Sequence, residues 1–259
     1  MNKLHKAFEN GKAFIPFVTA GDPNLDTTEQ LVLAMAQAGA DLIELGIPFS
    51  DPVAEGPVIQ QADERALAAG TTTDRIFEMV SHVRQKIDVP LAFMTYANPI
   101  FVYGAEPFMR RCAEAGVDAV IVPDLPFEEK DELAPACRAH DVKLISLIAP
   151  TSKERIGLIA SQAEGFVYCV SSLGVTGVRS QINTDISRMI AEVKAVRDIP
   201  CAIGFGISTP EQARDMAKVA DGVIVGSAIV KMAAKFGTGC VQPIADYVRE
   251  MKQAITSGE

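Results

Sequence analysis

The stretch from Asp41 to Gln60, DLIELGIPFSDPVAEGPVIQ, concentrates the groups in this sequence that could do acid–base chemistry. Its first part is an apolar strand with a carboxylate planted in it. Alternation along a strand sets Leu42, Glu44 and Gly46 on one face and Ile43, Leu45 and Ile47 on the other. With the second face wholly aliphatic, the strand reads as covered on both sides, as in a parallel sheet. An unpaired carboxylate there has a raised pKa, which suits a general acid; a structural carboxylate hydrogen-bonded inside the fold suits the position equally well. In the following loop Asp51, before Pro52, fits a turn former, whereas Glu55, before Gly56 and Pro57, has no such strong turn rationale. His5, His82 and His140 fall on or beside helices away from the strand ends, so acid–base work falls to carboxylates and to Tyr168. Tyr168 shares a strand face with Phe166 and Val170 and fits core packing as well, and Asp124, in VPDLP, reads first as a turn cap.

Glycine-rich turns signal a second chemistry. Gly174-Val175-Thr176-Gly177, Gly204-Phe205-Gly206-Ile207-Ser208 and Gly226-Ser227-Ala228 each follow an apolar strand near the end of the chain. Glycines there let backbone amides approach an anion, and a helix starting near Ser227 would aim its positive end at it. One such turn is an ordinary strand-to-helix connection; three in succession point to phosphate. Ser208 followed by Thr209, Pro210 and Glu211 also reads as a capped helix start.

The elements that must position these groups recur. A short helix around Leu4, Ala7 and Phe8 precedes a first strand, Ala13 to Thr19. Seven more strands are predicted at Asp41 to Ile47, Pro90 to Tyr96, Asp118 to Val122, Lys143 to Ala149, Gly165 to Ser171, Pro200 to Phe205 and Gly222 to Gly226. Amphipathic helices lie between them, including Glu29 to Ala38, Asp74 to Gln85, Pro107 to Ala115, Glu128 to Ala139 and Thr209 to Val219. QAGADLIELG, EAGVDAVIVP and KVADGVIVGS repeat one phrase: a helix ends, the chain turns, and a strand is entered through Asp. Eight alternating units without a composition break imply an α/β fold of the (β/α)8 TIM-barrel class, expected as a single domain over residues 1–259; a doubly wound open sheet is the alternative. The segments after the second and sixth strands, PFSDPVAEGPVIQQ and SLGVTGVRSQINTD, are longer than the rest and would cover a site at the catalytic face.

Composition narrows the function classes. The chain has 259 residues, 48% of them hydrophobic and 22% charged, as for a globular protein with a sizeable core. A net charge of -9 without a basic cluster argues against nucleic acid as a partner. Five scattered cysteines without a C-x-x-C pair read as reduced thiols, and neither a signal core nor a membrane-spanning run is present, so a cytoplasmic protein starting near Met1 is expected.

LIELGIPFSDPVAEGPVIQ closely resembles the signature of the tryptophan synthase alpha chain family, and PFVTAGDP, MTYANPI, VPDLPFEE, YCVSSLGVTGVR, GFGIS and GVIVGSAIVK resemble its other blocks in order, from Phe14 to about Lys231. The resemblance implies a lyase cleaving indole-3-glycerol phosphate to indole and D-glyceraldehyde 3-phosphate, without a cofactor in this chain. It places the catalytic strand glutamate on Glu44 and the second carboxylate, which contacts the indole N–H, on Glu55, where the family more commonly has Asp. By the same resemblance Phe17, Tyr168, Thr176 and Phe205 line the indole site, and Gly177, Gly206, Gly226 and Ser227 hold the phosphate. It further implies a pyridoxal-phosphate beta chain as partner, in an αββα heterotetramer docked on the catalytic face around the second-strand loop, Asn98-Pro99 and Asp124-Leu125-Pro126. Two other readings are a regulatory subunit weakened in catalysis by Glu55, and a different phosphate-binding barrel such as an epimerase or isomerase. The latter would not be expected to carry SDPVAEGP.

Overall fold

The computed structural model describes residues 2–170, 179–204 and 206–256. Its strands are β1 (Ala13–Thr19), β2 (Ile43–Gly46), β3 (Leu91–Met94), β4 (Ala119–Ile121), β5 (Lys143–Leu144), β6 (Ser146–Ile148), β7 (Val167–Val170), β8 (Cys201–Gly204) and β9 (Gly222–Val225). All pairings are parallel, in the order β5-β4-β3-β2-β1-β9-β8-β7-β6. The order follows the chain around a ring without the reversal of a doubly wound sheet. Nine strands stand where eight were expected because the fifth is divided at Ile145. Its first half pairs with β4 and its second with β7, while the Ile145 N–H still donates to Val120 O at 2.9 Å. In a tilted barrel the closing strand passes from one neighbour to the other, and the ring nearly closes through this one-residue handover.

Helices α1 (Leu25–Gln37), α2 (Pro57–Ala68), α3 (Thr73–Arg84), α4 (Ala97–Tyr103), α5 (Ala105–Ala115), α6 (Ala134–Ala139), α7 (Lys153–Gln162), α8 (Arg179–Val196), α9 (Pro210–Ala217), α10 (Ser227–Phe236) and α11 (Val241–Thr256) complete the chain. Several starts are fixed by side-chain caps: Asn24 accepts from Thr27 N at 2.8 Å, Ser152 from Arg155 N, and Thr209 forms a reciprocal capping box with Gln212. The helix expected over Glu128 to Ala139 is instead a 3-10 segment, Phe127–Glu132, followed by α6. Pro135 has no N–H and its ring would collide with the preceding turn, so one α-helix cannot run through it. Both long loops also prove shorter than their sequences suggested. Pro57 opens α2 and Arg179 opens α8, leaving IPFSDPVAEG after β2.

Strand alternation sorts the core into two shells. Phe14, Val18, Ile43, Leu45, Phe93, Val120, Val167, Cys169, Cys201, Ile203, Val223 and Val225 face outward and are buried under the helices. Ala13, Ile15, Leu42, Ala92, Ala119, Ile121, Ile145, Phe166, Ala202 and Ile224 fill the barrel interior. Leu4 and Ala7, on a 3-10 helix over Leu4–Phe8, join this inner cluster, and Phe8 packs on Phe166 at 5.6 Å between ring centroids. A Cβ on Gly165 would come within 2.3 Å of Leu4 Cδ2, so the N-terminal segment is seated against the strand bottoms. It plugs that end of the barrel.

The repeated Asp at the strand entrances has a structural task. Asp41 accepts from Phe14 N at 2.7 Å, Asp118 from Leu91 N at 3.0 Å and Asp221 from Cys201 N at 2.8 Å, each tying its strand to a neighbour. Asp118 also accepts from Lys3 N at 2.7 Å and Arg84 Nη2 at 3.1 Å, which fastens the plug to the barrel. Asp118→Ala leaves a buried N–H and a largely buried guanidinium without that carboxylate. The expected cost is about 3 kcal/mol in urea unfolding, and a change below about 1 kcal/mol would contradict this role.

Candidate active site

The upper layer of the barrel interior is where polar groups replace aliphatic ones. Phe17 stands two residues beyond Ile15, Glu44 two beyond Leu42 and Tyr168 two beyond Phe166, so all three continue the inward rows toward the C-terminal strand ends. Phe17 is the direct β-sheet partner of Glu44. Glu44 is 0% exposed, and neither of its carboxylate oxygens has a hydrogen-bond partner among the described residues. Burial alone pushes its pKa up to about 8, and the nearby Glu44 charge, after burial, helps drive the Tyr168 phenol well above its ordinary range.

Glycines make room for the aromatic rings. A Cβ on Gly46 would lie 2.6 Å from Phe17 Cζ, and one on Gly204 would lie 2.4 Å from the Tyr168 hydroxyl. Phe17 therefore lies across the end of β2 and Tyr168 across the end of β8. Gly204→Ala is expected to displace the Tyr168 ring and lower turnover by about tenfold, roughly what 1.4 kcal/mol of lost transition-state stabilisation gives, with the fold retained by circular dichroism. Unchanged turnover would remove Tyr168 from the site.

Glu55 sits at the foot of α2, its backbone carbonyl accepting from Gln60 Nε2 at 2.9 Å. It is half-buried, and Oε2 is buried without a partner among the described residues. Burial raises its pKa, while the Tyr96 hydroxyl and the Asp63 carboxyl, placed as hydrogen-bonding neighbours, pull it partly back. Asp63, on α2, is itself buried, and burial followed by the Glu55 charge pushes it up to about 7. The Thr19 hydroxyl lies beside Asp63 and lowers that value, although it falls short of hydrogen-bond geometry. Behind them Arg65 holds the buried Asp22 through two contacts of 2.8 Å. Phe17, Ile59, Ala62 and Val230 form an apolar cluster beside this polar one.

The anion candidates gather at the same end. Gly226 lies beside Phe17, with a Cβ there 3.4 Å from the ring, and Ser227 begins α10, whose first N–H groups have no intrahelical acceptors. Gly206 adopts φ 75°, the left-handed region that glycine favours. Thr176, Gly177 and Phe205 lie outside the described residues. Of the other carboxylates, Asp124 accepts from Ala97 N at 2.9 Å at the start of α4, and Asp51 is exposed beside Ser50. The three histidines each face a surface glutamate: Glu9, Glu29 or Glu106.

A family model described as tryptophan synthase alpha chain matches residues 3–256. The chain belongs to the tryptophan synthase alpha chain family. It is 48% identical over 255 residues to the tryptophan synthase alpha chain of Lacticaseibacillus casei, covering 98% of this chain and 96% of that protein. With the tryptophan synthase alpha chain of Citrifermentans bemidjiense it shares 51% identity over 249 residues, 95% of this chain and 93% of the other. A solved tryptophan synthase subunit alpha from Legionella pneumophila superposes with a TM-score of 0.90 at 38% identity, covering 99% of both chains. A chain from the tryptophan synthase a2b2 complex of Pyrococcus furiosus gives a TM-score of 0.86 at 36% identity, covering 93% of this chain and 98% of that one.

For this member of the tryptophan synthase alpha chain family, the sequence reading missed Asp63 and Tyr96. Asp63 carried a usable signal: in PVIQQADERALA it falls four residues after Ile59 and three before Ala66, on the buried face of α2. Tyr96 ends MTY just beyond β3, and its hydroxyl accepts from Ala54 N at 3.0 Å, holding the loop that carries Glu55.

Proposed function

We propose that Glu44 and Glu55 are the acid–base pair with which this chain performs the reaction of its family, the cleavage of indole-3-glycerol phosphate to indole and D-glyceraldehyde 3-phosphate in tryptophan biosynthesis. The observation that carries this assignment is the burial of Glu44, which with a pKa of about 8 is protonated at neutral pH. As the acid it gives its proton to indole C3, and the positive charge that develops on the ring nitrogen meets the Glu55 carboxylate. The side-chain hydroxyl then returns a proton to Glu44 while the C–C bond breaks, its electrons restoring the ring and its carbon leaving as the aldehyde. The acid thus finishes in its starting form, and the step balances by proton transfers alone.

In the same reading Phe17, Tyr168, Thr176 and Phe205 flank the indole, and Gly177, Gly206, Gly226 and Ser227 take the phosphate on backbone amides and the α10 N-terminus. The catalytic unit is one barrel domain over residues 1–259. A pyridoxal-phosphate beta chain is the partner, in an αββα assembly at the C-terminal face. Val53 at 79%, Phe101 at 48% and Val102 at 82% exposure support an apolar contact there. No helix among the described residues is long and apolar enough to cross a membrane, and a cytoplasmic site of action fits the pathway.

The test is indole release from indole-3-glycerol phosphate by the full chain, alone and with the beta chain. Release that the beta chain increases supports the assignment; stimulation of the beta chain without lyase turnover would overturn it in favour of a regulatory subunit.

A further inference from the structure

We infer that Asp63 is a positioning residue for Glu55, the two carboxyl groups sharing one proton across the gap between the loop and α2 and so holding the Glu55 carboxylate in place for the substrate. This rests on the proposed role of Glu55. The geometry begins with the backbone. Gly56 caps α2, Pro57 opens it, and the Gln60 side chain ties the Glu55 carbonyl to the first turn, so the Glu55 side chain springs from a fixed point at the foot of the helix. Asp63 lies on the buried face of that helix and is only 4% exposed. Asp63 is a side-chain neighbour of the Glu55 carboxyl, whose Oε2 is buried without a partner among the described residues. Glutamate extends about 1.5 Å farther than aspartate, one C–C bond, so Glu55→Asp draws the carboxyl back from this neighbour.

The surroundings leave the pair few other ways to settle its charge. Thr19 on β1 and the Phe49 backbone N–H face Asp63, and the Tyr96 hydroxyl faces Glu55. Asp22 adds a further negative charge and is itself held by Arg65 through two contacts. Helix α10, packed on α2, turns the apolar Val230 inward, while its lysines Lys231 and Lys235 stay at the surface. Two carboxyls so placed cannot both ionise cheaply. One proton held between them satisfies both, as for carboxyl dyads generally, and the pair titrates as a unit. Burial raises both groups; the Glu55 charge pushes Asp63 further, to about 7, whereas the Asp63 carboxyl, as a hydrogen-bonding neighbour, pulls Glu55 partly back.

The experiment is the pH dependence of kcat/KM for indole formation by the full chain with its beta partner, in four forms: wild type, Asp63→Asn, Glu55→Asp and the double variant. Asparagine keeps the shape but is a weaker donor than a carboxylic acid and has no proton to share, so Glu55 takes up its proton at higher pH and the acid limb is expected to move up by about one pH unit in Asp63→Asn. On the shorter Glu55→Asp arm the same substitution is expected to move it little. A limb that stays put in the single variant, or moves equally in both backgrounds, would overturn the proposal; a merely structural Asp63 would change stability without moving the limb. Carbon-13 carboxyl titration of the resting protein gives a readout independent of turnover. Two coupled steps that collapse to one in Asp63→Asn support proton sharing, and two independent ordinary titrations sink it. If the wild type forms no indole at any pH, the reading of Glu55 as catalytic fails, and the carbon-13 result still decides the pairing.

Discussion

Glu44→Gln is expected to lower indole formation by at least about 100-fold, within the range of a lost general acid, while substrate phosphate binding persists. Glutamine keeps the shape of the side chain and removes the transferable proton, so near-wild-type turnover would dismiss Glu44 as the acid. The same substitution should act on stability in the opposite sense. Glu44 has a folded pKa near 8 against 4.5 in the ordinary state, so between those values the folded chain holds a proton that the unfolded chain has released. Stability is therefore lost as pH rises from about 4.5 toward 8, by up to about 1.4 kcal/mol per pH unit from this group. Glutamine carries no such dependence. Urea midpoints of the two proteins should be close near pH 5 and separate in favour of Glu44→Gln toward pH 8; parallel curves would mean that Glu44 is not held neutral by burial.

The second large effect belongs to Glu55. Glu55→Ala removes the carboxylate proposed to meet the charge developing on the indole ring, and turnover is expected to fall about 100-fold, near 2.7 kcal/mol of transition-state stabilisation. Glu55→Asp keeps the charge on a shorter arm and should retain activity within about tenfold of wild type. Steady-state assays of both variants discriminate cleanly: alanine turning over like wild type would end the proposed role. Aspartate as impaired as alanine would mean that reach, more than charge, decides the function of this position.

Much of this was legible in the chain because barrel geometry is written locally. Alternation in LIELG was enough to separate Glu44 from the aliphatic row, and the Asp before each of three strands marked a repeated unit before its bond to the neighbouring strand was seen. What escaped the sequence depended on relations across the fold. The division at Ile145 arises where one strand must serve two neighbours, which no local pattern encodes. Pro135 did announce a break in the expected helix, but the apolar period on either side of it masked the signal. Asp63 was overlooked for a related reason: a polar residue on an apolar helical face is easily counted as an exception to the stripe. Its meaning comes from Glu55, which lies outside the helix altogether. Thr176 and Phe205 as indole-site residues rest on the family resemblance, while Gly177 was also marked by its glycine-rich turn.

The N-terminal segment seated under the barrel gives the molecule a floor. Leu4 and Ala7 close the bottom and Phe166 and Ile145 stack above them, so nothing the size of an indole ring can drain through the axis. The protein is a cup, not a pipe. Among the described residues the bottom is closed, which leaves the C-terminal strand ends as the side for substrate to enter, and what sits over that rim, whether a loop or a second protein, bears on where indole goes next.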